Sequence, residues 1–231
     1  MFFDPLYFEL ALPGLLLALL ATWMTRSTFA KYSHISAASG LTGAQAAERL
    51  LESQGITGIT IREHEGFLSD HYDPRNLTLN LSPDVYRSTS LSAIGVACHE
   101  AGHAIQHARL YAPLKLRTEL VPMTNIGSQF SYILFFIGML MHSPILLKVG
   151  VGLFLLTVIF AFVTLPVEWD ASRRAKLLMV SSGIVSPQEQ AGAARVLNAA
   201  FLTYVAGAVT ALLTLLYYLI RSGLLGGRSR D

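Results

Sequence analysis

The chain has 231 residues, of which 52% are hydrophobic and only 14% charged, and its mean hydropathy is +0.48. So apolar a balance excludes an ordinary soluble domain, and a net charge of +2 does not suit a nucleic-acid-binding protein. The single cysteine, Cys98, excludes an intrachain disulfide framework, and a zinc site here would not rely on thiolates.

Residues 6–24 form an apolar run interrupted by Glu9 and Pro13 and followed by Arg26 and Lys31. A cleaved signal peptide wants a basic start, whereas this chain opens Met-Phe-Phe-Asp. The run therefore reads as an uncleaved transmembrane helix with Pro13 as a tolerated kink. Acidic residues before it (Asp4, Glu9) and basic ones after it place the N-terminus outside and residue 26 onward in the cytoplasm. Residues 33–40 are a small, polar linker. Thr42 and Gln45 form a capping-box pattern that opens a short amphipathic helix through Glu52, ended by Gly55.

Ile56, Ile59 and Ile61 lie in a β-prone stretch, and residues 76–81 alternate polar and apolar side chains as a half-buried strand does. Gly66-Phe67-Leu68-Ser69 and Asn76-Leu77-Thr78-Leu79-Asn80-Leu81 flank a loop carrying Asp70, His71, Tyr72, Asp73, Pro74 and Arg75. A small sheet here offers an edge to which an extended peptide can add, with Asn76, Thr78 and Asn80 as contacts; its other reading is purely structural. Ser82 and Pro83 read as an N-cap and first-turn proline.

The next helix, capped by Ser88 or Ser90, carries His99-Glu100-Ala101-Gly102-His103, an H-E-x-x-H. Residues four apart share a helix face, so both imidazoles can take corners of a zinc tetrahedron. Glu100 is then placed to act as general base and afterwards as acid, the metallopeptidase reading of the motif. Ala101 and Gly102 are small, which suits a helix whose backbone must come close to a substrate. The competing reading is a fortuitous or degenerate motif. Cys98 reads as a small core residue.

Residues 114–125 read as a polar connection containing Pro122. Two apolar runs, 126–141 and 145–167, are separated only by His142-Ser143-Pro144 and form an antiparallel transmembrane hairpin. A capping box at Ser186 and Glu189 opens a helix that leads into a fourth span over 199–220. Lys and Arg number nine in residues 25–125 and four in 168–198, against one in the loop 142–148, which supports a cytoplasmic face for the first two segments. Arg221, Arg228 and Arg230 in the tail conflict with that topology. The expected organisation is a transmembrane helix (1–25), a cytoplasmic zinc-peptidase region (26–125), a transmembrane hairpin (126–167), cytoplasmic helices (168–198) and a last transmembrane helix with a short tail (199–231).

A catalytic zinc needs a third protein ligand and an open position. The hairpin returns the chain to the face of His99 and His103, and the first carboxylates there are Glu168 and Asp170. Glu168 is the favoured ligand in a gluzincin-like His-His-Glu set. Asp170 is then a second carboxylate that holds a ligand imidazole through its other nitrogen, and it stays open as the alternative ligand. His107 lies a turn too far along to complete the site. His71, Tyr72 and Arg173 are candidates for contacts to the transition-state oxyanion or substrate.

Several stretches together resemble the YugP-like family of neutral zinc metallopeptidases of bacterial membranes: residues 66–75, Ser82-Pro83-Asp84-Val85-Tyr86, residues 99–106 and Glu168-Trp169-Asp170-Ala171-Ser172. The likeness covers essentially the whole chain and implies a membrane-embedded zinc-dependent endopeptidase. The order of parts is also similar to that of HtpX-type and CAAX-prenyl metalloproteases, which carry their glutamate in an E-x-x-x-D pattern. Here the fourth position after Glu168 is Ser172, which keeps Asp170 open as a ligand.

The expected protein is a mainly α, multi-pass integral membrane protein of about four transmembrane helices, with a cytoplasmic H-E-x-x-H helix and a small β-sheet in a zincin-like, HtpX-type arrangement. It resides in the bacterial inner membrane with its active site facing the cytoplasm. Zn²⁺ is the cofactor, and membrane lipid, protein or peptide substrate and a regulatory membrane partner or second copy are the expected partners, with no nucleic acid. The rival is a non-catalytic membrane scaffold with a structural or lost zinc site.

Overall fold

The long apolar runs become four long helices in the computed structural model, which describes residues 4–66 and 69–225. These are α1 (Pro5–Ser33), α5 (Ala112–Leu140), α6 (Pro144–Ser181) and α7 (Pro187–Arg221), each long and apolar enough to cross a membrane. Between α1 and α5 come α2 (Gly43–Ser53), β1 (Thr60–Glu63), β2 (His71–Asp73), β3 (Thr78–Leu81), α3 (Pro83–Tyr86) and α4 (Leu91–Ala108). The expected connection at 114–125 is instead the start of α5, which carries Pro122 within it. Beyond residue 167 the helix continues without a break, α6 running through Glu168 to Ser181. Phe67, Leu68, Arg228 and Arg230 lie outside the described residues.

The contacts divide the chain into two units. One comprises residues 1–20, 116–165 and 203–231. Its core joins Phe135, Val151, Phe154, Val158, Leu215, Tyr217 and Tyr218, with the rings of Phe135 and Tyr218 stacked at 3.7 Å. Large apolar side chains such as Leu15, Leu16, Phe130 and Ile133 face outward, as a surface meant for hydrocarbon requires. At the ends of α1 and α7, the Asp4 carboxylate accepts hydrogen bonds from Tyr217 Oη at 2.9 Å and from the Arg221 guanidinium. The first arginine of the tail is thus paired with an acid at the opposite end of the chain.

The other unit, residues 21–115 and 166–202, holds the sheet and α4. Several local signals act as the sequence implies. Thr42 and Gln45 close their capping box on α2, Gly55 follows with φ of +67°, and Ser186 caps α7 reciprocally with Glu189. Ser90 caps α4 by accepting from the backbone N–H of Ala93 at 3.2 Å. The core gathers Leu50, Leu79, Leu81, Ile94, Ile105, Met179 and Ile184, all fully or almost fully buried.

The sheet order is β1-β3-β2, with β3 parallel to β1 and antiparallel to β2. This corrects the expected peptide edge at residues 76–81: β3 is the central strand, and neighbours occupy both its hydrogen-bonding sides. Asn76 lies in the turn before it and donates to Asp73 Oδ2 at 2.8 Å. Thr78 is buried, and Asn80 is engaged with His71 Nε2 and Thr78 Oγ1, each at 3.2 Å. The open edges belong to β1 and β2.

Two glycines separate tight packing from ordinary packing. A Cβ on Gly43 would stand 2.1 Å from the Val85 carbonyl oxygen, an impossible approach to backbone, whereas one on Gly95 would meet Ala193 no closer than 3.4 Å. Gly43→Ala is expected to destabilise by about 1–3 kcal/mol through overpacking. Gly95→Ala is expected to be neutral or to stabilise by up to about 1 kcal/mol through helix propensity. Thermal unfolding of the two detergent-solubilised variants checks the order.

Candidate metal centre

His99 and His103 stand four positions apart on α4, so their rings project from one face, with centroids 4.8 Å apart. Glu168 enters from α6. Its Oε2 lies 3.1 Å from His99 Nε2 and 3.5 Å from His103 Nε2, and its side chain is 1% exposed. These three ligand atoms lie within 4.8 Å of one another. Two atoms each about 2.1 Å from a tetrahedral centre stand roughly 3.4 Å apart, so the observed spacings suit one small ion. Two imidazoles and a carboxylate are also the donor set that a catalytic zinc takes, with a fourth position left open.

Glu168 reaches that point because α4 and α6 touch through backbone. A Cβ on Gly102 would sit 2.7 Å from the Ala171 carbonyl oxygen. Opposite Gly102, α6 presents Glu168, Ala171, Ser172 and Ala175 at helical spacing, all buried. The smallness of Gly102 therefore serves approach to a helix of the same chain, where the sequence suggested approach to a substrate.

The second nitrogen of each imidazole is also held. Ser172 Oγ lies 3.1 Å from His99 Nδ1, and Gln106 Oε1 lies 3.0 Å from His103 Nδ1. The expectation that Asp170 holds an imidazole is corrected here. Its Oδ2 accepts from Gln106 Nε2 at 2.9 Å and from Arg174 Nε at 2.5 Å. The sequence offered Arg174 as a charge partner for Glu168 and Asp170, and Asp170 takes that pairing, whereas the roles of Gln106 and Ser172 escaped the sequence reading. The available signal was periodicity: Gln106 stands three residues after His103, and Ser172 four after Glu168.

Glu100 is buried beside the ligand atoms. Burial pushes its carboxyl above the usual carboxylate range, the nearby His99 and His103 oppose that shift, and Glu168 and Asp70 add to it. Burial works against a charged His103, but the hydrogen bond and charge of Glu168 prevail and hold its imidazole above its ordinary value. Asp70 is raised chiefly by burial, against hydrogen bonds from the Ser82 N–H at 2.7 Å and Ser82 Oγ at 3.1 Å. Cys98, buried to exclusion of water, is pushed up to about 12 and is an inert core residue.

The remaining candidates are placed differently. His71 and Tyr72 form strand β2 where a loop was expected. His71 is exposed, with Nδ1 2.8 Å from the Ser69 carbonyl. Tyr72 faces α4, its Oη 2.8 Å from His107 Nδ1. Arg173 is exposed on α6, one residue round from the buried face that carries Glu168 and Ser172.

Metal analysis of the purified variants separates the two carboxylates. Glu168→Gln is expected to lose zinc, whereas Asp170→Asn, which keeps an oxygen acceptor for Gln106, should retain close to one ion per chain. Gly102→Ala is expected to weaken retention by forcing α4 and α6 apart, with about 1–3 kcal/mol lost from stability.

Residues 7–223 match the protein family described as "Putative neutral zinc metallopeptidase". The chain is 42% identical over 215 residues to "Putative membrane protease YugP" of Bacillus subtilis (strain 168), an alignment that covers 93% of this chain and 96% of that protein. No solved structure matches it. With the match spanning nearly the whole chain, the protein belongs to the YugP-like neutral zinc metallopeptidase family.

Proposed function

We propose that this protein is a membrane-embedded, zinc-dependent endopeptidase that cleaves membrane or membrane-proximal proteins at the inner membrane surface, with its site facing the cytoplasm. The observation that carries the reading is the convergence of His99 Nε2, His103 Nε2 and Glu168 Oε2, with the Glu100 carboxylate buried alongside them. In this reading His99, His103 and Glu168 hold the ion. When bound, zinc supplies Lewis acidity, which polarises a peptide carbonyl and lowers the pKa of water toward about 7.

The chain's own residues do the rest. Glu100 takes the proton of the attacking water at its carboxylate and delivers it to the leaving amine nitrogen as the C–N bond breaks. Glu168 stays ionised between the two imidazoles. Ser172 and Gln106 keep the rings turned toward it. An extended substrate is served better by β2 than by β3: β2 is an edge, contacts α4 and begins next to Asp70, whose charge is felt at Glu100.

Location rests on α6, in which the apolar stretch ending at Val167 is followed without a break by Glu168 and then by Arg173, Arg174 and Lys176. Trp169, 54% exposed, has its ring against Phe201 and under the Lys176 ammonium, an arrangement suited to lipid headgroups.

Glu100→Gln is expected to keep zinc and to lose about 10²–10⁴-fold in peptide hydrolysis; unchanged hydrolysis sinks the enzyme reading in favour of a scaffold. The location has its own test. Trp23→Phe leaves Trp169 as the sole tryptophan, and Trp169 is the chain neighbour of Glu168. In reconstituted vesicles its fluorescence should be quenched most by lipids labelled near the headgroup. Quenching by aqueous iodide alone, or most strongly by deep labels, would move the site out of the membrane surface.

A further inference from the structure

Gln106 is fully buried between the two helices that bear the ligand atoms, and every polar atom of its side chain is engaged. Its Nε2 donates to the Val167 carbonyl at 2.8 Å and to Asp170 Oδ2 at 2.9 Å. Neither partner can donate in return, since one is a carbonyl and the other a carboxylate already held by Arg174 Nε at 2.5 Å. The amide therefore has one orientation, because a flipped Gln106 would set its oxygen against two acceptors. Its Oε1 is left 3.0 Å from His103 Nδ1, where only an N–H satisfies it.

We propose that Gln106 is a positioning residue that fixes the Nδ1–H tautomer and ring angle of His103, so that Nε2 presents its lone pair to the metal, and that Asp170 acts on the site only through Gln106. This rests on the zinc-site reading above. The relay runs from Arg174, whose guanidinium lies 5.8 Å over the Tyr111 ring, through Asp170 to Gln106 and His103. Its bond to Val167 ties α4 to the residue directly before Glu168, so one amide governs the setting of two ligands. Ser172 performs the matching service for His99 with a hydroxyl, which can donate or accept and so imposes no tautomer by itself.

The test is zinc affinity by chelator competition on the full-length, detergent-solubilised protein. The variants are Gln106→Met, Asp170→Leu, the double variant and Asp170→Asn. Gln106→Met keeps the volume and loses the amide, so it should weaken zinc binding by about 10–100-fold. Asp170→Leu should weaken it less. The double variant should bind no more weakly than Gln106→Met, because Asp170 has no route to the metal once the amide is gone. Asp170→Asn, which still accepts from Gln106, should restore binding close to wild type. Thermal unfolding of the metal-free variants identifies any simple folding defect, and Gln106→Asn, with the amide withdrawn by one methylene, replaces Gln106→Met if that variant does not fold.

Additive losses in the double variant, or wild-type affinity in Gln106→Met, would overturn the relay while leaving the zinc site intact. Loss of zinc in Asp170→Asn would make Asp170 a ligand and overturn it too. A folded wild type that binds no zinc at all defeats the zinc-site reading, and the relay with it.

Discussion

The contact between the backbones of α4 and α6 is the constraint on which the centre depends. A histidine or glutamate side chain reaches only a few ångströms from its helix axis, so ligands on two helices meet at one point only if the helices nearly touch. Gly102 against the Ala171 carbonyl provides that approach, and the small, buried residues Ser172 and Ala175 extend it along α6. Side chains of ordinary size at this crossing would hold Glu168 away from the imidazoles. The apolar core of the same unit then fixes both helices, with Ile94, Ile105 and Met179 buried around them.

Such closeness has an electrostatic consequence. A carboxylate 1% exposed is stable only among donors or cations, and the two imidazoles supply them. Those imidazoles are themselves buried and need partners for their outer nitrogens, which a hydroxyl on α6 and an amide on α4 provide. The polar network thus grows outward from Glu168 until it reaches Arg174 at the partly exposed margin. A network satisfied throughout holds its members in one geometry.

The family membership and the four apolar helices set this centre in a membrane protein, and α6 links the two characters in one element. Its apolar first part and its polar last part, which carries Glu168, are a single helix, with no loop before Glu168. The small sheet has a different relation to the site. Its central strand is buried and saturated by its neighbours, while the short strand β2 packs beside α4 and keeps an edge.

Much of this was legible from residues alone, wherever the deciding forces are local. Hydrophobic run length announced the four long helices, because burying backbone in hydrocarbon demands about twenty apolar residues in a helix. Caps at Thr42, Ser90 and Ser186 depend on neighbours within one turn and could be read directly, whereas the Ser82 hydroxyl is given to Asp70, twelve residues away. The i, i+4 spacing of His99 and His103 is a property of the helix itself, and Glu168 follows from counting crossings. Three features were settled only by tertiary structure. The place of β3 at the centre of its sheet depends on which strands come to flank it, and alternation of side chains is the same for an edge and a centre. The true neighbour of Gly102 is a helix about seventy residues away in sequence. The roles of Gln106, Ser172 and Asp170 depend on rotations of α6 against α4 that no sequence spacing encodes, because hydrogen bonds between helices are decided by fractions of an ångström in how the two surfaces dock.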